Sequence, residues 1–398
     1  MDFISGFMDY TKGAPTADIY RLWSAITCVA GALERRVWTS TLQEPIYPNL
    51  YVLLVGNPGA GKTPAIGPVR RLWRSNPKLT IAADSMTKAG FVDALDASAK
   101  KVPMGGQFIE YSALCVAADE FGMFMSAYDN DFVSALTGAH DGRDVLGEQR
   151  RHSLGDRKRA DIINPLCTIL AGSQPGFMAV LLPDEVWSMG FTARFIMVYS
   201  NERQIPKLTF GRASASHKEE QWKVLVADMQ RFGKMFGEFT WEPEAEIEMD
   251  KWVQNKCYPE PDNSRLVHYN TKRAVYTAKL ALISCASRGE GQVISLRDLE
   301  RARRWILHAE TLMSNIFRDM KGKSDHQVLE ATYTFMWNMY SMSQKPIHEA
   351  TILLFLSERA GSNNAPRLLE MIEKTSMATR DAGTKLYTPK PKHLHGLE

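Results

Sequence analysis

A glycine-punctuated run, Gly56-Asn57-Pro58-Gly59-Ala60-Gly61-Lys62-Thr63, constrains this chain more than any other stretch. It fits G-x-x-x-x-G-K-[ST], and its flanks suit that motif. Tyr51-Val52-Leu53-Leu54-Val55 ahead of it reads as a buried strand, and Ala65 to Trp73 behind it reads as a helix. A strand that turns through glycines into a helix N-terminus gathers backbone N–H groups at one point, where the helix dipole also favours an anion. In that geometry the loop cradles phosphates, Lys62 reaches the β- and γ-phosphates, and the Thr63 hydroxyl ligates Mg²⁺. The competing reading is a Gly/Pro-rich turn that binds nothing, and the flanking strand and helix argue against it. Pro64 falls in the first helical turn, where its missing N–H costs little. Pro68 falls deeper and predicts a short or bent helix.

A chain of 398 residues is too long for one core and predicts two or three domains. Its 44% apolar and 23% charged content is that of a globular protein in water. No apolar run reaches the ~18 residues of a membrane span, and no signal-peptide pattern opens the chain. Cys28, Cys115, Cys167, Cys257 and Cys285 are scattered, without metal-ligand spacing, which predicts buried free thiols in a reducing, cytoplasmic setting. The net charge of +3 is too small to mark a nucleic-acid binder, so only local basic clusters can argue for one.

Residues 1–48 read as a helical segment. Thr16 or Asp18 would cap a helix carrying Ile19, Leu22, Trp23, Ile26, Val29 and Leu33 on its apolar stripe, and Pro45 and Pro48 would end it. Residues 49–210 alternate strands with helices, the pattern of an α/β fold with a mostly parallel sheet. The strand candidates are 51–55, 79–83, 114–118, 167–171 and 195–199, short apolar runs of the kind that parallel sheets bury. Residues 211–322 read as helical again. Arg273 to Ala286 carries one stripe, and Leu296 to Met320 another behind a start signal at Ser295 and Asp298. After a linker at Lys321 to Asp325, residues 323–398 give three short helices, the third from Pro366 to Glu373. A hairpin then turns at Asp381-Ala382-Gly383, completing a winged-helix-like arrangement.

The chemistry gathers at three further points. Leu114-Cys115-Val116-Ala117-Ala118 is an apolar strand ending in Asp119-Glu120, which would hold the Mg²⁺ shell and polarise an attacking water, respectively. Cys167 to Ala171 runs into Gly172-Ser173-Gln174. Ligands of open parallel sheets bind at the carboxyl ends of strands, so Ser173 or Gln174 would meet the γ-phosphate or the water; the alternative is a helix-capping turn. Gln174 has the longer reach. Arg194 stands just before the last strand, either as a guanidinium projected into a neighbouring subunit's nucleotide or as half of a salt bridge at the sheet edge.

Loop, acid pair, polar strand end and pre-strand arginine come in the order found in AAA+ ATPases, and the chain resembles them. Asn49-Leu50-Tyr51, Asp141-Gly142, Asn164-Pro165, Gln174-Pro175 and Gly190 to Phe195 resemble the ATPases of phage, prophage and plasmid replication modules of the primase–helicase type. The resemblance covers residues 20–310 and is strongest over 49–200. It implies ATP and Mg²⁺ as cofactors, with Lys62 and Thr63 on phosphate and metal, and Asp119 and Glu120 on metal and water. It further implies Gln174 as sensor, Arg194 as finger and, by a poorer match, Arg273 as a second sensor in a helical lid. It also implies a homo-oligomeric ring, a hexamer, working among other replication proteins in the host cytoplasm. No primase motif is present.

Between the second and third motifs, residues 143–159 are basic and glycine-punctuated, and predict a hairpin around Leu154-Gly155-Asp156. Facing the channel of a ring, Arg150, Arg151, Arg157, Lys158 and Arg159 would follow a DNA backbone by charge; the alternative is a solvated loop. Arg367, Lys374, Arg380, Lys385, Lys390 and Lys392 offer a second contact in the C-terminal module, weakened by Glu370 and Glu373 on the same helix. The leading expectation is a ring ATPase that translocates single-stranded or forked DNA, a replicative helicase. The alternatives are a helicase loader or initiator that uses ATP as an assembly switch, and a small-molecule P-loop kinase.

Overall fold

Four of the five apolar runs become neighbouring strands of one sheet. The structure, a computed structural model, describes residues 2–41, 44–104, 107–125, 129–151, 157–181, 190–202, 212–320, 325–360, 364–381 and 383–391. It divides into two compact units, Met1–Phe317 and Arg318–Glu398.

In the first unit, helices α1 (Phe3–Tyr10) and α2 (Asp18–Leu33) precede strand β1 (Tyr51–Val55). Helices α3 (Lys62–Arg74) and α4 (Lys88–Ala97) lead to β2 (Ala99–Met104) and β3 (Gln107–Ala118). Helix α5 (Asn130–Asp141) is followed by β4 (Val145–Arg151), β5 (Arg157–Ile163), β6 (Pro165–Ser173) and β7 (Phe195–Tyr199). The long helices α6 (Arg212–Phe232), α7 (Arg273–Arg288) and α8 (Leu296–Met320) complete it. The main sheet has the order β2-β3-β6-β1-β7. β3, β6, β1 and β7 run parallel, and β2 is antiparallel to β3. The fold is therefore mixed α/β with a five-stranded, mostly parallel sheet.

Every residue of β1, β6 and β7 is buried. Side chains alternate between the faces of a strand, so both faces of the sheet are covered. Tyr51 on β1 donates to the Leu136 carbonyl of α5 at 2.8 Å. Helices α2 and α3 meet at Gly31, where a Cβ would lie 2.6 Å from the Trp73 ring, and the Trp73 indole donates to Cys28 O at 3.0 Å. Only a glycine lets the two helices come this close. All five cysteines are free and buried.

Several expectations change. The run 79–83 forms no strand; only Ile81 bridges Cys115, on the edge of β3. Helix α2 ends at Leu33, well before Pro45, because Glu34 takes φ 53° and turns the chain into the short strands Val37–Ser40 and Pro45–Ile46. Its N-cap is Ala17, without a side-chain cap, so neither Thr16 nor Asp18 caps it; Asp18 instead pairs with Arg21 at 2.5 Å. Helix α3 runs unbroken through Pro68 for 13 residues. Ser295 and Asp298 do form the expected start of α8, with the Ser295 N–H and hydroxyl both donating to the Asp298 carboxylate.

The second unit holds α9 (Asp325–Ser343), β8 (Ile347–His348), α10 (Glu349–Ala360), α11 (Ala365–Lys374), β9 (Ala378–Asp381) and β10 (Leu386–Pro389). β10 pairs antiparallel with both β8 and β9. Leu356, Leu368, Ile372 and Tyr387 sit in its own core.

In the first unit a buried ion pair ties α7 to α8. Arg273 is 0% exposed and Glu310 5%, with Nε 2.7 Å from Oε1. The guanidinium also donates to Cys257 O and Pro259 O, each at 2.6 Å, and Tyr269 Oη donates to Glu310 at 2.9 Å. Arg273 is thus enclosed by structural partners, which corrects the expectation that it meets nucleotide. Glu310→Ala, which strands this guanidinium, should lower the unfolding free energy by about 3–5 kcal/mol, read from urea titration. Glu310→Gln, which keeps an acceptor, should lose less.

Candidate functional site

Register brings the sequence motifs to one edge of the sheet. Val55 pairs with Ser173 of β6 and Tyr199 of β7, and Ala118 of β3 pairs with Ala171. The glycine loop, Asp119-Glu120 and Ser173-Gln174 therefore all leave the sheet at its carboxyl edge, with the end of β6 between the other two.

The loop is held from below. Gly59 and Gly61 take φ 83° and 82°. A Cβ on Gly61 would lie 2.0 Å from Pro15 O, and one on Gly56 would lie 2.3 Å from Ser200 O and 2.4 Å from Tyr20 Oη. Tyr20, from α2, sets its hydroxyl 2.6 Å from Val55 O and 2.7 Å from Ser200 O, and accepts from the Ser200 N–H at 3.1 Å. The Asn57 N–H donates to Asn201 Oδ1 at 3.1 Å. Asn57, Pro58, Gly59 and Thr63 are exposed, whereas Gly56, Ala60 and Lys62 are buried. Lys62 Nζ donates to Gly56 O at 2.7 Å and Asn57 O at 3.2 Å. Burial lowers the pKa of this ammonium, and the charge of Glu120 opposes that shift.

Opposite the lysine, Glu120 Oε1 accepts from Gln174 Nε2 at 3.4 Å. Asp119 Oδ1 is buried with no hydrogen bond, although Arg70 Nη2 of α3 stands 3.1 Å away. Arg70 donates instead to Ala117 O through Nε and Nη2. The Ser173 hydroxyl is wholly buried and unpartnered. A Cβ on Gly172 would lie 2.3 Å from Asp119 O and 3.5 Å from Lys62 Cβ, so the glycine lets the acid strand close onto the loop helix. A buried lysine suits a phosphate, and an acid pair beside an unpartnered hydroxyl suits a hard cation.

Arg194 lies at the other end. Tyr51 pairs with Phe195 and Val55 with Tyr199, so the arginine sits at the amino edge, away from its own loop. It forms a bidentate pair with Asp141, at 2.9 Å and 2.5 Å, and donates to Gly190 O at 2.7 Å. Burial pushes the Asp141 carboxyl up, but hydrogen bonds from His140 and Arg194 outweigh it and hold the group below the usual carboxylate range. Burial and Lys279 bring His140 down to about 3, which leaves it neutral.

The basic segment does form a ladder. β4 and β5 pair antiparallel, with Arg150 in register with Lys158, Arg151 with Arg157 and Gln149 with Arg159. The turn at Leu154-Gly155-Asp156 lies outside the described residues, as does Lys392. In the second unit, Lys374 pairs with Glu370 at 2.7 Å, and Arg380 with Glu349 at 3.0 Å and Glu373 at 3.6 Å. These pairs reduce the net positive face of α11 and the adjoining strand.

Sequence reasoning missed Tyr20, Arg70, Gly172 and Lys279. Gly172 had a signal, a glycine at the end of an apolar strand. Lys279 had one too, a lysine inside the apolar run Ala278 to Ile283. Comparison with protein-family models gives no match, and comparison with curated proteins gives none either.

Lys279 is 4% exposed and donates to Asn49 O at 2.9 Å and Asn49 Oδ1 at 2.8 Å. Burial brings its pKa from 10.5 down to about 7, with Asp141 opposing. The unfolded chain binds this proton more tightly, so the lysine's contribution is complete above its ordinary value and is lost as pH falls towards 7. Relative to Lys279→Met, the wild-type protein should therefore gain about 1 kcal/mol of stability per pH unit between pH 7 and pH 9, measured by urea unfolding of both proteins.

Proposed function

We propose that this chain is an ATP hydrolase of the AAA+ P-loop type. One observation carries the reading: β6 lies between β1 and β3, which sets Gln174 against Glu120, 3.4 Å away, and the unpartnered Ser173 hydroxyl beside the glycine loop. A turn that binds nothing has no need of these three groups at one edge.

The loop amides from Asn57 to Thr63 bind the phosphates at the N-terminus of α3, and Lys62 turns from the loop carbonyls to the β- and γ-phosphates. Thr63 and Asp119 would hold Mg²⁺, which would supply neutralising charge to the phosphates. Glu120 orients the attacking water and accepts its proton as the water oxygen bonds to the γ-phosphorus and the bond to the bridging oxygen breaks. Gln174 holds the Glu120 carboxylate in place, and Ser173 supplies a short donor from the floor.

Because Arg194 stands at the amino edge, it can serve as a finger only to a second copy of the chain. This supports a ring in which Arg194 leaves Asp141 for a neighbour's γ-phosphate. The β4–β5 ladder, with its basic residues at the distal end, supports a contact with a DNA backbone. We therefore favour a DNA-translocating helicase over a loader. For the second unit, three helices with a terminal hairpin support a winged-helix module that contacts DNA or protein.

In an assay of phosphate release with Mg²⁺ and ATP, Lys62→Ala should fall to background. Glu120→Gln should keep nucleotide affinity within a few-fold while losing about 10²–10⁴ in turnover. Undiminished turnover by Lys62→Ala overturns the reading. Unwinding of a forked duplex by the protein alone separates the helicase from a loader, which would act only on a second helicase.

A further inference from the structure

The two prolines of α3 take on a meaning once its faces are distinguished. Ala65, Ile66, Val69, Leu72 and Trp73 point into the core. Pro64, Gly67, Arg71 and Arg74 recur at three- and four-residue steps on the opposite face, with the buried Pro68 at its margin. That face floors a groove of 530 Å³ closed on its other side by Tyr10 and Lys218. The described residues lining it include four cations, Arg70, Arg71, Arg74 and Lys218, and no acid. Arg71 and Arg74 are exposed. The Arg71 guanidinium lies over the Trp222 ring at 4.9 Å, and Tyr10 and Trp222 approach to 5.4 Å. At Gly67 a Cβ would meet nothing within 4 Å, so the floor is open.

We propose that this groove binds single-stranded nucleic acid. Cations that track a phosphate chain, interleaved with aromatic faces, are the elements of sequence-tolerant strand binding. The small-residue floor lets a backbone approach the helix, and the concave shape suits a strand better than a flat membrane surface. Arg70 pairs with Asp119 at 3.1 Å and stands 4.0 Å from Asp84. Asp119 leaves the sheet at its carboxyl edge. Arg70 thus stands between the groove and the acid pair, and a bound phosphodiester competes with Asp119 for it. Strand binding at this face is then felt at the nucleotide site. The proposal shares with the helicase reading only the expectation of a nucleic-acid partner, and it is separate from the β4–β5 ladder.

The test is fluorescence anisotropy of a labelled oligothymidylate of about 20 nucleotides with the full chain and no ATP. Arg71→Ala/Arg74→Ala should weaken binding by about tenfold or more and flatten the log–log salt slope by about 1.4, the value for two lost phosphate contacts on a single strand. Arg71→Lys/Arg74→Lys should retain most of the affinity. Gly67→Glu places a carboxylate in open space on the same floor and should weaken binding comparably, with an unlowered melting temperature. The ladder variant Arg150→Ala/Arg151→Ala should leave the effect of the groove substitutions in place. Basal ATP turnover of Arg71→Ala/Arg74→Ala should be unchanged while its response to the oligonucleotide falls. Wild-type protein that does not bind the oligonucleotide, or groove variants that bind it within twofold of wild type, overturn the proposal. So does binding to phosphatidylserine vesicles in preference to the oligonucleotide that the same variants abolish.

Discussion

The parallel register of β6 between β1 and β3 is the constraint on which the rest depends. It is sealed at its end by the Gly56 N–H, which donates to Ser173 O at 3.2 Å. That bond fixes the start of the glycine loop against the end of the neighbouring strand. The loop, the acids and the glutamine are then brought to one level by the backbone ladder, and Tyr20 and Asn201 brace the loop with side-chain hydrogen bonds. The same closeness explains why Gly172 must be a glycine, since a side chain there would drive β3 and its Asp119 away from Lys62.

The two edges of the sheet are built differently. At the carboxyl edge, the Ser173 hydroxyl is left unpartnered, and Asp119 Oδ1 has no hydrogen bond, only the Arg70 charge 3.1 Å away. At the amino edge the polar groups are largely paired in a buried cluster. Lys279 holds Asn49, Asn49 Nδ2 donates to His140 O at 2.8 Å, and His140 and Arg194 both hold Asp141. Unmet hydrogen-bonding capacity inside a protein is costly. The amino-edge cluster serves internal cohesion, although His140 Nε2 within it also lacks a partner; the proposed nucleotide site rests on the carboxyl edge.

Much of this was legible because the signals were local. A strand, two glycines that need positive φ, a lysine and a helix form one contiguous run, and β1 and β7 begin and end where their apolar residues do. Strand-end acids and polar residues were legible for the same reason. What stayed hidden depends on distance in the chain. Tyr20 reaches the loop across 35 residues with no pattern to announce it. Residues 79–83 have the composition of a strand but make a single bridge, because Ile81 meets β3 only at Cys115 while β2 pairs with the first half of that strand. Arg273 looked like a ligand-binding arginine at the start of a helix; its partner Glu310 lies 37 residues on, and only packing reveals it. Propensity alone predicts a short or bent helix at Pro68, yet α3 runs through this buried proline for 13 residues, because packing of its apolar face holds the helix.

Arg194 shows how one side chain can satisfy two readings. In the isolated chain its guanidinium is saturated by Asp141 and Gly190, so it looks structural. Yet the pair sits at 15% and 30% side-chain exposure, so it is not sealed in the core. A phosphate presents the same bidentate acceptor geometry as a carboxylate and more charge, so exchanging Asp141 for a γ-phosphate costs the arginine little. Asp141 is not stranded by the exchange, because His140 remains 3.1 Å from its Oδ1. On the ring reading proposed above, Asp141 would hold the arginine in position until a neighbour arrives, and the observed salt bridge would be its resting state.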